Sequence, residues 1–331
     1  MNSQQGVLWV NDEMVAANLP PAEAESVVEG ALLLHHYGEY IQPLKPYIRP
    51  GGHEREYERG RIIYMPAYLG GDLDIVGIKI IAGFPINVER GLPRASGIYL
   101  LNSTKTGFPL CIMECSELSA RRTGAIAGLA VRKLGGDGPH TCSIVGGGPI
   151  AEAVIRALAT NDQVNAITVY DLRIDRAQAL ATRYNSAQLS VVASPTLTEC
   201  LNNSQILILA TTGSRGYLTR ELAGKKRLII ALSLDDASED LFLSASKVIV
   251  DSFDDCCREE KLLHRLVKEG RFSRDQVYAE FGEILAGIKP GRECAQELVY
   301  FNPMGMGIED LACAHIVYQN ALQSNAGVWL H

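Results

Sequence analysis

The 331-residue sequence holds no long run of lysines or arginines, and its formal charge is −7. Gripping a phosphate backbone takes a concentrated basic patch, so no nucleic acid partner is expected. No stretch of about 18 uninterrupted apolar residues occurs, and the opening MNSQQGVLWVND lacks a basic segment followed by an apolar one. Neither a membrane span nor a secretory leader is expected, and the protein is placed in the cytoplasm. The eight cysteines (Cys111, Cys115, Cys142, Cys200, Cys256, Cys257, Cys294 and Cys313) form no CxxC pair, and the seven histidines form no HxH or HExxH. No metal site is expected from them, and the thiols read as reduced and mostly buried. Cys256 and Cys257 are adjacent but ill-suited to a disulfide, because neighbours on a helix point about 100° apart.

What remains is an ordinary globular composition: 47% hydrophobic residues, 21% charged residues and 31 glycines. The length exceeds the ~100–200 residues of one domain, which predicts two. Behind Pro20-Pro21 the spacing of apolar residues predicts a helix over 22–40. RIIYMPAY (61–68), DIVGIKIIAGF (74–84), SGIYLLNS (96–103) and PLCIMEC (109–115) then read as an antiparallel meander. From Ser116 the pattern changes. SELSARRTGAIAGLAVRKLGG is an amphipathic helix with Ser116 as N-cap and Gly135-Gly136 as its stop, leading into HTCSIVG. Helices over 149–159 and 174–184 alternate with strands in AITVYD, LSVVA, QILILAT, RLIIALS and KVIVDSF. Strands separated by helix-length segments imply a parallel sheet. The fold class is therefore α/β: a Rossmann doubly wound parallel sheet domain over 121–299, plus an α+β substrate and dimerisation domain formed by 1–120 with 300–331. The terminal FNPMGMGIEDLACAHIVYQNALQ is expected to return to the first domain as a helix.

TCSIVGGGPIAEAVIRAL sets Gly146, Gly147 and Gly148 between a buried strand and a helix. Gly146 suits a tight turn, Gly148 lets backbone approach a pyrophosphate, and the helix start opened by Pro149 and Ile150 offers free N–H groups. The third fingerprint position is Ala151, an allowed variant. Asp171 ends the next strand, where a carboxylate takes ribose hydroxyls and repels a 2′-phosphate, favouring NAD over NADP. Arg173 pulls the other way, since it can accept a phosphate. Thr211 and Thr212 of ATTGS (210–214) and Ser233 of RLIIALS complete the expected cofactor-binding residues.

Outside that unit, cations stand in apolar surroundings: Lys79 in IVGIKIIAGF, Arg94 in GLPRASGIYLL and Arg122 in SARRTGA. A lysine inside such a strand is costly unless it is paired or faces a cavity, which makes it a site candidate. Arg49, Arg61 and Arg121 sit where surface arginines are ordinary.

The MP of RIIYMPAY, the lysine of GIKIIA, the TGFP turn, the Arg-Thr of ARRTGA, the glycine loop and the GxxxED of NPMGMGIEDLA all match one pattern. In these, over essentially its whole length, the chain resembles the ornithine cyclodeaminase/μ-crystallin family. The resemblance implies a Rossmann domain inserted into a substrate domain that forms a homodimer, with Lys79 and Arg122 binding substrate and acting in catalysis, and Thr123 near the cofactor. QPLKPYIR (42–49), RASGIYLLN (94–102), REEKLLHRLVKEGRFS (258–273) and NPMGMGIED (302–310) resemble more narrowly its NAD-dependent, diaminopropionate-forming branch, which serves siderophore assembly. Ile63 and Leu234 stand where cyclodeaminases carry carboxylates, which argues against ornithine cyclisation. GIKIIAGFPINVERG also lacks an aromatic that this branch carries after the lysine.

A small amino-acid substrate rich in carboxylates is expected. Arg122 and Arg94 would clamp carboxylates, Lys45 would add a point charge, and Arg61 and Met65 would line the site. Lys79 would hold a carboxylate or take a proton, with Asp235 or Asp236 as the alternative proton acceptor. The rival readings are an imine or ketimine reductase and a non-catalytic crystallin-like binder of NAD or another ligand.

Overall fold

Alternation of buried and half-exposed residues makes the first part of the chain a sheet with one covered face. In the computed structural model, residues 6–50, 60–202, 204–213, 216–258 and 260–331 are described. Ser214 of ATTGS and Glu259 of REEKLLHRLVKEGRFS lie outside them. The chain divides into two compact units, Met1–Arg122 with Met306–His331, and Thr123–Gly305.

The first unit opens with β1 (Val7–Val10), α1 (Asp12–Ala17) and α2 (Pro21–His36), then two short strands, β2 (Tyr40–Ile41) and β3 (Tyr47–Ile48). The expected meander follows as β4 (Arg61–Leu69), β5 (Ile75–Gly83), β6 (Ala95–Ser103) and β7 (Pro109–Glu114), paired antiparallel in sequence order. β1 adds in parallel beside β7. Met65, Lys79, Tyr99 and Met113 are register partners across β4 to β7, so they form one row on one face of the sheet. All four are buried.

The helix α3 (Ser116–Leu134) leads into the second unit. There β8 (His140–Val145), α4 (Pro149–Leu158), β9 (Val164–Tyr170), α5 (Ile174–Tyr184), β10 (Ser190–Ala193), α6 (Leu197–Asn202), β11 (Ile206–Leu209), α7 (Arg220–Ala223) and β12 (Leu228–Ala231) follow in turn. They continue with α8 (Glu239–Leu243), β13 (Lys247–Val250), α9 (Phe253–Cys256), α10 (Leu262–Lys268), β14 (Ala279–Glu280), α11 (Phe281–Leu285) and β15 (Val299–Asn302). The sheet is parallel in the order β10-β9-β8-β11-β12-β15-β13-β14. Strand order reverses between β8 and β11, and the crevice at such a switch point is where doubly wound sheets take ligands.

β15 corrects the expected boundary at residue 300. Val299–Asn302 is buried throughout and inserts between β12 and β13, so this strand belongs to the second unit. Only beyond Gly305 does the chain return to the first unit, as α12 (Gly307–Ser324) and the edge strand β16 (Val328–Leu330). α12 packs on α2 and covers β4, β5 and β6.

The turn-back is anchored by Asp251, which follows β13 and is fully buried. Its carboxylate accepts from Ser252 N at 2.8 Å and Gly305 N at 2.6 Å, and Cys256 Sγ donates to Asn302 O at 3.3 Å beside it. Hydrogen bonds to a charged acceptor contribute about 1.5–3 kcal/mol each. Asp251→Ala is therefore expected to lower stability by roughly 3 kcal/mol in urea unfolding, and a loss under ~1 kcal/mol would show that these bonds do not hold the turn.

Candidate active site

Lys79 sits in mid-strand on the face that α12 covers, with 1% of its surface exposed. Its Nζ donates to Asp310 Oδ2 at 2.5 Å and Ser119 Oγ at 3.4 Å. Arg122, in the second turn of α3, donates from Nε to Asp310 Oδ1 at 3.0 Å and from Nη1 to Glu309 Oε2 at 3.2 Å. Two cations thus face two carboxylates in a buried cluster whose formal charges cancel. Burial lowers the Lys79 ammonium from its ordinary value, Arg122 adds to the effect, and Asp310 opposes it. Burial alone would raise the Asp310 carboxyl, but Arg122 and Lys79 outweigh it and hold the group below the usual range. Desolvation likewise opposes the Arg122 charge, yet Asp310 and Glu309 keep its pKa raised. Burial thus disfavours the charge of a lysine that lies beside a fixed guanidinium.

Asp310 and Glu309 are not among the residues expected from the sequence to act, although GxxxED marks their place. Two adjacent acids inside the apolar helix IEDLACA are the available signal, since buried carboxylates need cationic partners.

The other expected cations lie toward the sheet's near end. Arg61 opens β4 on the same face as Met65 and Lys79, four residues before Met65, or about 13 Å along the strand. Its guanidinium stands 5.3 Å from the centre of the Tyr47 ring, and that of Arg49 5.2 Å from it. Lys45 is buried just ahead of Pro46, whose carbonyl accepts from Tyr64 N at 3.1 Å, next to Met65. Arg94 departs from the expected clamp: it is an exposed residue of the turn before β6, and desolvation and the neighbouring Arg61 charge both disfavour its cation. Arg121 is structural, bound to Glu117 at 2.7 Å and donating to Leu19 O at 2.6 Å.

In the second unit the glycine loop follows β8 at the switch point. Gly146 has φ +115°, and a Cβ there would fall 2.4 Å from Ala210 O, so the turn admits only glycine. Gly148 caps α4, where an added Cβ would meet open space. No side chain caps the helix start at Pro149 and Ile150, which leaves its N–H groups for an anion. Asp171 accepts from Gly147 N at 2.7 Å and Arg173 N at 2.8 Å, fixing its carboxylate at the end of β9 beside the loop. The guanidinium of Arg173 pairs instead with Asp175 at 2.8 Å and is 62% exposed. An open cradle, an uncapped helix start and an acid at the next strand end fit a dinucleotide.

Thr211, half-buried, and Thr212, exposed, follow β11, while Ser233 follows β12. Thr211 Oγ1 and Ser233 Oγ both donate to the buried Asp236, and Gly213 N donates to Thr211 Oγ1 at 2.9 Å. Asp236 therefore ties two loops together, in contrast to its expected role as a proton acceptor. Asp235 is likewise taken, by Arg265 at 2.7 Å. Thr123 is half-buried on α3.

The cysteines are free and mostly buried, and burial pushes the Cys115 thiol up to about 12. Among the described residues no group of three or more His, Cys, Asp or Glu could hold a metal ion, and no helix is long and apolar enough to cross a membrane.

A lysine–carboxylate–arginine cluster in one unit and a dinucleotide cradle in the other define an oxidoreductase-like class of molecule. Residues 8–325 match the ornithine cyclodeaminase/mu-crystallin family, and the chain belongs to it. Over 323 residues it is 33% identical to the N-((2S)-2-amino-2-carboxyethyl)-L-glutamate dehydrogenase of Staphylococcus aureus, with 96% of each chain covered. Among solved structures, the Δ1-pyrroline-2-carboxylate reductase of Thermococcus litoralis in complex with NADH and L-proline superposes with a TM-score of 0.89 at 28% identity, covering 97% of this chain and 99% of that one. An archaeal alanine dehydrogenase dimer with bound NAD gives 0.88 at 27%, covering 98% and 99%.

Removing the shared acid tests the cluster. Asp310→Asn leaves two buried cations short of a charge and is expected to cost about 3–5 kcal/mol at neutral pH. The folded carboxyl titrates below its unfolded value of 3.8, so its contribution is complete above that pH and lost as pH falls through the folded value. Urea unfolding at about pH 7 and pH 3 should show the gap between wild type and variant shrinking in acid. An equal gap at both would rule out the ionic pairing.

Proposed function

We propose that the chain is an NAD-dependent oxidoreductase that cleaves N-(2-amino-2-carboxyethyl)-L-glutamate into 2-oxoglutarate and L-2,3-diaminopropionate, a building block for siderophores or peptide natural products. The observation that carries this reading is the buried Lys79, bonded to Asp310 beside Arg122 in a neutral cluster. The Staphylococcus aureus relative supports the substrate, and Ile63 and Leu234 support an activity other than cyclisation. A cytoplasmic homodimer is the proposed working form, in keeping with the archaeal alanine dehydrogenase dimer.

NAD, when bound, would accept the glutamyl α-hydrogen as hydride. Gly146, Gly148, Pro149 and Ile150 would hold its pyrophosphate, Asp171 the ribose, and the loops carrying Thr211, Thr212 and Ser233 the nicotinamide half, with Thr123 nearby. The substrate nitrogen must be unprotonated to release that hydride. Lys79, whose ammonium burial disfavours, would turn from Asp310 to take its proton, and the ammonium so formed would return to Asp310. Arg122 would fix a carboxylate beside the reacting carbon, while Lys45 and Arg61 would meet the others. Water adding to the resulting imine gives an aminal that collapses to ketone and amine. The balance is substrate, NAD and water to 2-oxoglutarate, diaminopropionate, NADH and one proton. The Thermococcus litoralis likeness favours one rival, an imine reductase running the same hydride step in reverse.

Incubation of the protein with the adduct and NAD should yield NADH, 2-oxoglutarate and diaminopropionate in equal amounts, and ornithine should yield no proline. Proline from ornithine, or NADH consumption with pyrroline-2-carboxylate and no reaction of the adduct, would overturn the assignment. NAD should bind in preference to NADP, because Asp171 opposes a 2′-phosphate and Arg173 is engaged with Asp175. Asp171→Ser should narrow that preference by about tenfold, or ~1.4 kcal/mol, in fluorescence titrations. Tighter NADP binding by the wild type would reverse the cofactor reading.

A further inference from the structure

Tyr99 is the neighbour of Lys79 in the row across β4 to β7, and it is wholly buried. Its ring lies against Gly77, where a Cβ would fall 2.8 Å from Tyr99 Cε1 and 2.6 Å from Leu100 O. Glycine at that position is what admits the phenol. Yet Tyr99 Oη has no hydrogen-bond partner among the described residues, which is unusual for a buried hydroxyl. Burial, and after it the charge of Asp310, hold the phenol well above its ordinary value. Leucine or phenylalanine would fill the same space without stranding a polar group.

Both oxygens of Asp310 are engaged in the cluster, Oδ1 by Arg122 and Oδ2 by Lys79. Under the proposed reaction Lys79 must turn to the substrate, and Oδ2 of the fully buried Asp310 then loses its donor. An unpaired buried carboxylate oxygen is costly. We propose that Tyr99 is a positioning residue that acts as a standby donor, its hydroxyl bonding Asp310 Oδ2 when Lys79 leaves it for the substrate. Lys79 is thereby released without stranding the carboxylate. This rests on Lys79 and Asp310 being the place of chemistry, and it adds a residue that neither the glycine fingerprint nor the cationic motifs mark.

The test needs no substrate. In the wild type Tyr99→Phe removes a hydroxyl that bonds nothing, so the thermal midpoint should stay level or rise. In Lys79→Met, where Asp310 Oδ2 is already bare, Tyr99 should have taken up the bond, and adding Tyr99→Phe should lower the midpoint by about 2 °C or more. Lys79→Leu serves as the parallel background should the methionine variant not fold. This reversal of sign is what a packing role would not produce, and the same effect of Tyr99→Phe in both backgrounds would overturn the proposal. In turnover of the adduct, Tyr99→Phe should lower kcat about tenfold with the KM for NAD unchanged, and an unchanged kcat would also count against it. Absence of turnover by the wild type, with the reversal present, would instead sink the substrate reading alone.

Discussion

The buried ion cluster of Lys79, Arg122, Glu309 and Asp310 is the constraint around which the first unit is arranged. Taking charges out of water costs several kcal/mol per ion, and mutual attraction offsets this only with close, well-bonded geometry. The four groups come from three elements far apart in sequence: β5, α3 and α12. Glu309 and Asp310 can reach their partners only if the chain, after completing the parallel sheet, returns to the first unit. The discontinuity of that unit is thus tied to its chemistry. Asp251 holds the backbone at Gly305, and α12 then delivers both acids within its first turn.

Cancellation of charge inside the cluster has a second effect. The cluster carries no net charge, so under the proposed function affinity for a substrate with several carboxylates must draw on cations besides Arg122. Arg61 supplies one on the same face of the sheet, and Lys45 lies beside β4. Their separation from Lys79, about 13 Å along the strand for Arg61, suits an extended substrate better than a small one such as alanine. Under the proposed reaction the cluster would serve proton exchange and orientation, and recognition would be spread along the sheet.

How much of this was legible in the sequence depended on whether a feature is local. The glycine loop, Asp171 and the amphipathic helices are local patterns, and they lie where spacing places them. Lys79 stood out because a charge amid isoleucines must have a partner, but that partner is 231 residues away, and nothing in the spacing names it. β15 went unread as part of the parallel sheet for a similar reason. Four buried residues carry too little periodicity to separate a strand from the start of a helix. Arg94 and Asp236 show the converse, since charge near a motif suggested contact with substrate, whereas Arg94 is exposed in a turn and Asp236 is absorbed by two neighbouring hydroxyls.

The loop after β12 shows how those hydroxyls matter to the cofactor side. Leu234 has φ +69°, a left-handed conformation that costs a non-glycine residue about 1 kcal/mol or more. It persists because the two acids that follow are held separately: Asp235 by Arg265, and Asp236 by Thr211 and Ser233. Asp236 in turn joins the loop after β12 to the loop after β11, and Gly213 N closes the chain of bonds through Thr211. The carboxylate that sequence position suggested as a base instead stiffens the floor on which a nicotinamide would rest. A rigid floor is what hydride transfer requires, because a displacement of about 1 Å between donor and acceptor carbons can cost a hundredfold in rate. Under the proposed reaction, proton exchange would then fall to Lys79, whose ammonium burial disfavours.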